Sequence, residues 1–174
     1  MRKFIVFVII GLAVVFLLII SFNFYNSKVE IQLDRCVDGD TAWFLIDGKR
    51  EKVRFLGIDT PESVHPNGVV EEYGMDASDY TCDMLKKADH IYLEYDSNSD
   101  RYDRYGRVLG WVFVGDQNLS ELLLAIGYAR VEYVYGDYKY IDKLCEVQKQ
   151  AYLDRLGIWK VEYDKYQENY CMKG

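Results

Sequence analysis

The stretch "TAWFLIDGKREKVRFLGI" (41–58) constrains the fold more than any other part of the chain. Two β-type runs, "TAWFLI" and "EKVRFLGI", flank Asp47 and Gly48, which tolerate the positive φ angles of a tight turn. A hairpin turning near residues 47–50 makes its strands antiparallel, so their far ends return to one place. Both ends are acidic: Asp40 in "DGDT" (38–41) and Asp59 in "DTPE" (59–62). Two carboxylates brought together repel unless a cation lies between them, and a hard, oxygen-seeking ion such as Ca2+ suits them. Gly39 reads as the bend that aims Asp40. Pro61 restricts Thr60 to an extended shape that turns its carbonyl toward the same ion.

The rest of the chain supplies three more strands and three helices. "VEIQLDRCV" alternates ahead of the hairpin. Residues 61–74 hold both prolines and two glycines and read as a long loop. Ala77, Tyr80, Met84, Leu85 and Ala88 form a helical stripe within 75–89. Strands follow at 91–96 and 107–114, around the polar loop "SNSDRYDRYG". Asn118 caps a short helix at 119–126 that Gly127 stops. A last helix covers 138–156, with Ile141, Leu144, Cys145, Ala151 and Tyr152 on its apolar side. Five short strands with a helix after the third predict an α+β fold: a closed five-stranded barrel of OB type covered by three helices.

Arg54 interrupts an apolar strand and needs an anionic partner, either a neighbouring carboxylate or a phosphate gripped in two-point fashion. Simple alternation sets Arg54 and Asp59 on opposite faces, so their meeting requires a bend, which Gly57 permits. In "DRYDRYGR" (100–107), Tyr102 and Tyr105 interleave with Arg101, Arg104 and Arg107. Such a loop suits a stacked base beside a clamped phosphate. Tyr133 and Tyr135 in "EYVYGDY" are further candidates to flank a base.

Residues 4–20 are a continuous apolar run behind Arg2 and Lys3. With no small-residue cleavage site after them, residues 1–27 are expected to be an uncleaved membrane anchor. The domain at 28–174 then lies outside the cell membrane. A cleaved signal peptide and secretion is the alternative. The net charge is −7, which argues against an unspecific, basic coat for nucleic acid. Cys36, Cys82, Cys145 and Cys171 suit an oxidising location and allow three disulfide pairings.

The segments "VDGDT" (37–41), "VRFLGIDTPE" (53–62), "YDRYGR" (102–107) and "YVYG" (133–136), in this order and spacing, resemble the staphylococcal (micrococcal) nuclease, or thermonuclease, family. The resemblance covers about residues 29–160. It implies a five-stranded OB barrel with three helices that uses Ca2+ to hydrolyse phosphodiester bonds of DNA and RNA, leaving 3′-phosphates. By motif, Asp40 and Asp59 match the calcium carboxylates and Thr60 the carbonyl ligand. Glu62 matches the residue that orients or deprotonates water, and Arg54 and Arg107 match the pair on the scissile phosphate. Asp38 is expected to support the metal carboxylates from behind, and Tyr105 and Tyr135 to contact the nucleotide. No obligate protein partner is implied, so a monomer is expected. Two departures stand out: the family's staphylococcal enzyme is basic and lacks cysteines. The rival readings are a non-catalytic nuclease-like binding module and a calcium-stabilised surface module.

Overall fold

A computed structural model describes residues 28–63, 70–162, 164 and 169–172. The apolar run at 4–20, and with it the expected anchor, lies outside the described residues, as do residues 64–69 of the loop read at 61–74. Among the described residues, no helix is long and apolar enough to cross a membrane.

Strand β1 (Lys28–Asp38) pairs antiparallel with β2 (Thr41–Ile46), and β2 with β3 (Lys49–Phe55). Ile46 lies opposite Lys49, so the turn is only two residues long, and Asp47 and Gly48 take φ of 50° and 76°. This is the primed turn that matches strand twist. The chain then kinks at Gly57, where φ is 71°, before the short strand β4 (Ile58–Asp59). The single strand expected over 51–58 is therefore two, and the bend falls where alternation required one.

Helix α1 (Gly74–Lys87) leads to β5 (Ile91–Glu94), β6 (Val108–Val114) and the two-residue β7 (Gln117–Asn118). Helix α2 (Leu119–Ala125) follows, capped by the Asn118 side chain on Ser120 N–H at 2.9 Å. Then come β8 (Arg130–Val131) and α3 (Ile141–Leu153). The strands run β3-β2-β1-β5-β6-β7, and β3 also pairs in parallel with β6. That last pairing closes β1, β2, β3, β5 and β6 into the expected barrel. A separate two-stranded sheet joins β4 to β8.

Alternation fills the barrel. Ala42, Phe44 and Ile46 from β2 and Val53 and Phe55 from β3 point inward with Leu93 and Val112, while Trp111 is buried on the other face of β6, against Gly57 and Tyr140. Helix α3 buries Ile141, Leu144 and Ala151, together with Gln148, a polar residue absent from the expected stripe. Gln148 Oε1 accepts from Val131 N–H at 2.6 Å, and its Nε2 donates to Asn169 at 2.7 Å. Asn169 in turn donates to the Val131 carbonyl at 3.0 Å, so this buried polar set is satisfied within itself. Of the three possible pairings, the disulfides are Cys36–Cys82, between β1 and α1, and Cys145–Cys171, between α3 and the C-terminal segment.

Gly57 couples the barrel to β4 and to helix α3. A Cβ there would lie 2.8 Å from Ile141 Cδ1 and 3.1 Å from Trp111 Cη2, in a left-handed backbone conformation. Gly57→Ala is expected to cost about 2–4 kcal/mol through backbone strain and overpacking. A urea midpoint lowered with an unchanged slope is the check; an unshifted midpoint would refute the packing account.

Candidate active site

The β2–β3 register sets Arg54 opposite Thr41, and Phe55 N–H donates to the Asp40 carbonyl at 2.8 Å. The Gly57 kink then carries Asp59 back to the same point. The Arg54 guanidinium lies between the two acids: Nη1 is 2.5 Å from Asp40 Oδ2, and Nη2 is 3.1 Å from Asp59 Oδ1. The carboxylates do meet, as the hairpin demanded, but a cation of the chain's own already separates them. Their repulsion therefore does not by itself require a metal.

Asp40 is buried and strongly held. Its Oδ1 accepts from the Thr41 hydroxyl at 2.8 Å, and its Oδ2 from Thr60 N–H at 3.1 Å and the Thr60 hydroxyl at 3.2 Å. Thr60 thus meets Asp40 through its N–H and hydroxyl. Gly39 has no left-handed φ; it is needed because a Cβ would lie 2.7 Å from Thr60 Oγ1. Gly39 and Asp40 are also the two-residue turn between the paired Asp38 and Thr41, so the expected bend is there and close approach to Thr60 is added to it.

Asp59 reaches a second arginine that sequence reasoning missed. Arg130 lies opposite it in the β4–β8 pair and donates through Nη2 to Asp59 Oδ2 at 2.7 Å. Arg130 Nη1 also bonds Glu162 at 3.2 Å. Burial pushes the Asp59 carboxyl above the usual aspartate range, against the opposing pull of Arg130 and Arg54. No motif announces Arg130, because only the pairing of distant short strands brings it here.

Glu62 projects at the edge of this group. Its N–H donates to Glu71 Oε2 at 3.0 Å, and its carbonyl accepts from Glu71 N–H at 3.0 Å, which closes the base of the loop between them. Gly74 packs directly on the Glu62 carbonyl, where a Cβ would collide. The Glu62 carboxyl is raised above the usual glutamate range by partial desolvation. Next come the charge of Asp38 and a hydrogen bond with it, and then the charges of Asp40 and Asp59. Asp38 itself accepts from Gly39 N–H at 2.9 Å. Its charge is the one that acts most strongly on Glu62.

Arg107 enters from the strand beside β3, one residue before the Val53–Val108 pair. Its Nε donates to Asp103 Oδ2 at 2.6 Å, and its guanidinium lies 5.5 Å from the Tyr105 ring. Asp103 also accepts from Tyr105 N–H and Arg107 N–H at 2.9 Å each, which shapes the loop. Tyr105 and Tyr135 are 69% and 82% exposed, free to meet a ligand. Tyr133 stands nearer the acids, with its ring 5.5 Å from the Arg54 guanidinium and φ of 56°. Among the described residues, no three His, Cys, Asp or Glu side chains are arranged to hold a metal ion.

A family model described as staphylococcal nuclease homologue matches residues 52–161. The chain belongs to the staphylococcal nuclease family. Within this family it is 41% identical over 125 residues to a thermonuclease of Staphylococcus hyicus, covering 72% of each chain. It is 35% identical over 161 residues to a thermonuclease of Staphylococcus intermedius, covering 87% of this chain and 94% of that one. Endonuclease YncB of Bacillus subtilis (strain 168) is 42% identical over 137 residues. That match takes in 77% of this chain and 64% of YncB, so the chain spans a little under two thirds of this relative's length.

Arg54 is the hub of the site, with only 8% of its surface exposed. Replacing it by Gln leaves two facing carboxylates without their shared cation. In chelator, Arg54→Gln is expected to lose about 3 kcal/mol of stability, as when one member of a buried ion pair is removed. Thermal and urea unfolding of the variant against the parent measure this. A loss below about 1 kcal/mol would mean that water already screens the pair.

Proposed function

We propose that the chain is a Ca2+-dependent nuclease that hydrolyses phosphodiester bonds of DNA and RNA and leaves 3′-phosphate ends. One observation carries this reading. Arg54 Nη1 is buried and, despite its closeness to Asp40, has no acceptor in hydrogen-bonding geometry. A buried donor left without an acceptor is costly, and such groups cluster where a ligand completes the bonding. A phosphate oxygen is the acceptor that a guanidinium fork takes best. The names of the relatives, endonuclease and thermonuclease, support the same substrate class.

A calcium ion takes hard oxygen donors, and the acids here supply them. Asp40 and Asp59 share the Arg54 guanidinium, Asp59 also meets Arg130, and the charges of Asp38, Asp40 and Asp59 all act on Glu62. Asp40, Asp59 and the Thr60 carbonyl would hold the ion. When bound, the ion would neutralise phosphate charge and act as a Lewis acid.

The chain's own groups would do the rest. Arg54 and Arg107 would grip the scissile phosphate and stabilise the negative charge that gathers on it in the transition state. Glu62, carrying a raised pKa, would take a proton from the attacking water. The bond from phosphorus to the 5′ oxygen then breaks, the 5′ oxygen takes a proton from solvent, and the phosphate stays on the 3′ side. Tyr105 and Tyr135 would flank the nucleotide, with Tyr133 closing the space beside Arg54. Two disulfides support an oxidising location, and we propose export, with residues 4–20 as the anchor or signal and the domain acting as a monomer.

Hydrolysis of single-stranded DNA by the full chain, with Ca2+ and with chelator, tests the proposal. Glu62→Gln is expected to lower kcat about 10²–10⁴-fold while Ca2+ binding, read by calorimetry, is largely kept. Turnover that survives chelation would remove Ca2+ from the reading, and near-normal turnover in the Gln variant would remove Glu62.

The base form of Glu62 must be ionised, so activity should fall as pH drops through its raised pKa. Asp38→Asn removes the negative charge that raises the Glu62 carboxyl most. It is therefore expected to shift the acid limb of the kcat/KM profile to lower pH. A limb that stays in place, or moves up, would show that another group controls it.

A further inference from the structure

The barrel carries a basic and aromatic row on its outer face, and the proposed hydrolysis makes no use of most of it. On β3, Val53 and Phe55 point into the core, so Arg50, Lys52 and Arg54 share the outer side. On β2, Ala42 and Phe44 are buried, which puts Trp43 on that same outer side, half-buried. Trp43 lies opposite both Arg35 of β1 and Lys52 of β3. Side chains at opposed positions are neighbours on one face. The row thus reads Arg35, Trp43, Lys52 across three strands, and it lies two residues along β3 from Arg54.

Its chemistry points to a ligand. Among the described residues, Arg35 and Lys52 take part in no ion pair, although the chain as a whole is acidic at −7. The Arg50 guanidinium lies over the Trp43 indole at 4.9 Å and is held from the side by Asp34 at 2.7 Å. Its side chain is still 52% exposed, so the stacked pair offers a flat, cationic platform to solvent. Phosphate-binding cations alternating with a stacking platform suit an unpaired strand, whose bases are free to stack on indole or guanidinium planes. A duplex hides those planes.

We infer that the Arg35–Trp43–Lys52 row is a track for single-stranded polynucleotide, holding the strand that continues beyond the scissile phosphate. The inference rests on the nuclease reading for its ligand class. The track gives an acidic protein a local basic surface for long substrates, aimed at the site by the β3 strand itself.

Two measurements on the full chain separate the track from the catalytic reading. In chelator, fluorescence anisotropy of a labelled 20-nucleotide single strand reads binding without turnover. With Ca2+, kinetics on the same 20-mer and on a dinucleotide read the track and the site apart. Trp43→Ala is expected to weaken 20-mer binding about fivefold or more, with Trp43→Phe retaining most of it. Arg35→Gln combined with Lys52→Gln should flatten the slope of log Kd against log salt by about 1.4, at about 0.7 for each lost phosphate contact. Trp43→Ala and the double variant should raise KM for the 20-mer and leave the dinucleotide unchanged. Parent-like binding and salt slope in these variants overturn the track. So does an equal loss on the dinucleotide. If neither substrate is cleaved by the parent, the nuclease reading fails, while anisotropy still decides the track.

Discussion

The guanidinium of Arg54, seated between Asp40 and Asp59, is the contact around which the rest is arranged. It needs three pieces of backbone to be right at once. The β2–β3 register must set Arg54 opposite Thr41, Gly57 must turn the chain so that Asp59 returns, and Gly39 must let Thr60 come close enough to donate twice to Asp40. Burying two acids and a base is expensive, and the geometry answers by giving nearly every oxygen a donor. One nitrogen of Arg54, Nη1, is 2.5 Å from Asp40 Oδ2 yet makes no bond in hydrogen-bonding geometry.

Asp59 ties this centre to the C-terminal half. Through Arg130 it reaches Glu162, and β8 is held from behind by Gln148 and Asn169, close to the Cys145–Cys171 bridge. Helix α3, the small second sheet and the tail are thus a buttress for one carboxylate. The other side of the site is fixed by Cys36–Cys82 and by Thr81, whose hydroxyl donates to the Gly39 carbonyl at 2.6 Å. Both disulfides therefore brace segments that lead directly into the acidic group.

Charge is distributed with the same economy. The acids gather at one end of the hairpin, while β3 carries Arg50, Lys52 and Arg54 along its outer side toward them. A net charge of −7 describes the molecule poorly for this reason. A phosphate chain approaching the site would meet the local field of that strand, because salt screens the more distant acids within about 10 Å.

Much of this was legible in the sequence because it depends on local rules. The Asp47–Gly48 turn, the alternation of β2 and β3 and the positions of Asp40 and Asp59 follow from turn chemistry and a period of two. The need for a bend at Gly57 follows from parity. The barrel follows from five short strands with a helix after the third, and the four motifs added the family. Tertiary structure decided what two distant segments do on meeting. It put Arg54 where a metal ion had been expected to relieve the acids. It brought in Arg130 by pairing residues 58–59 with 130–131, drew Asp38 to Glu62, buried Gln148 in an otherwise apolar stripe and chose one of three disulfide pairings. Periodicity tells which face of an element is buried; it holds no information about which face it will meet, since that is set by closure of the whole barrel.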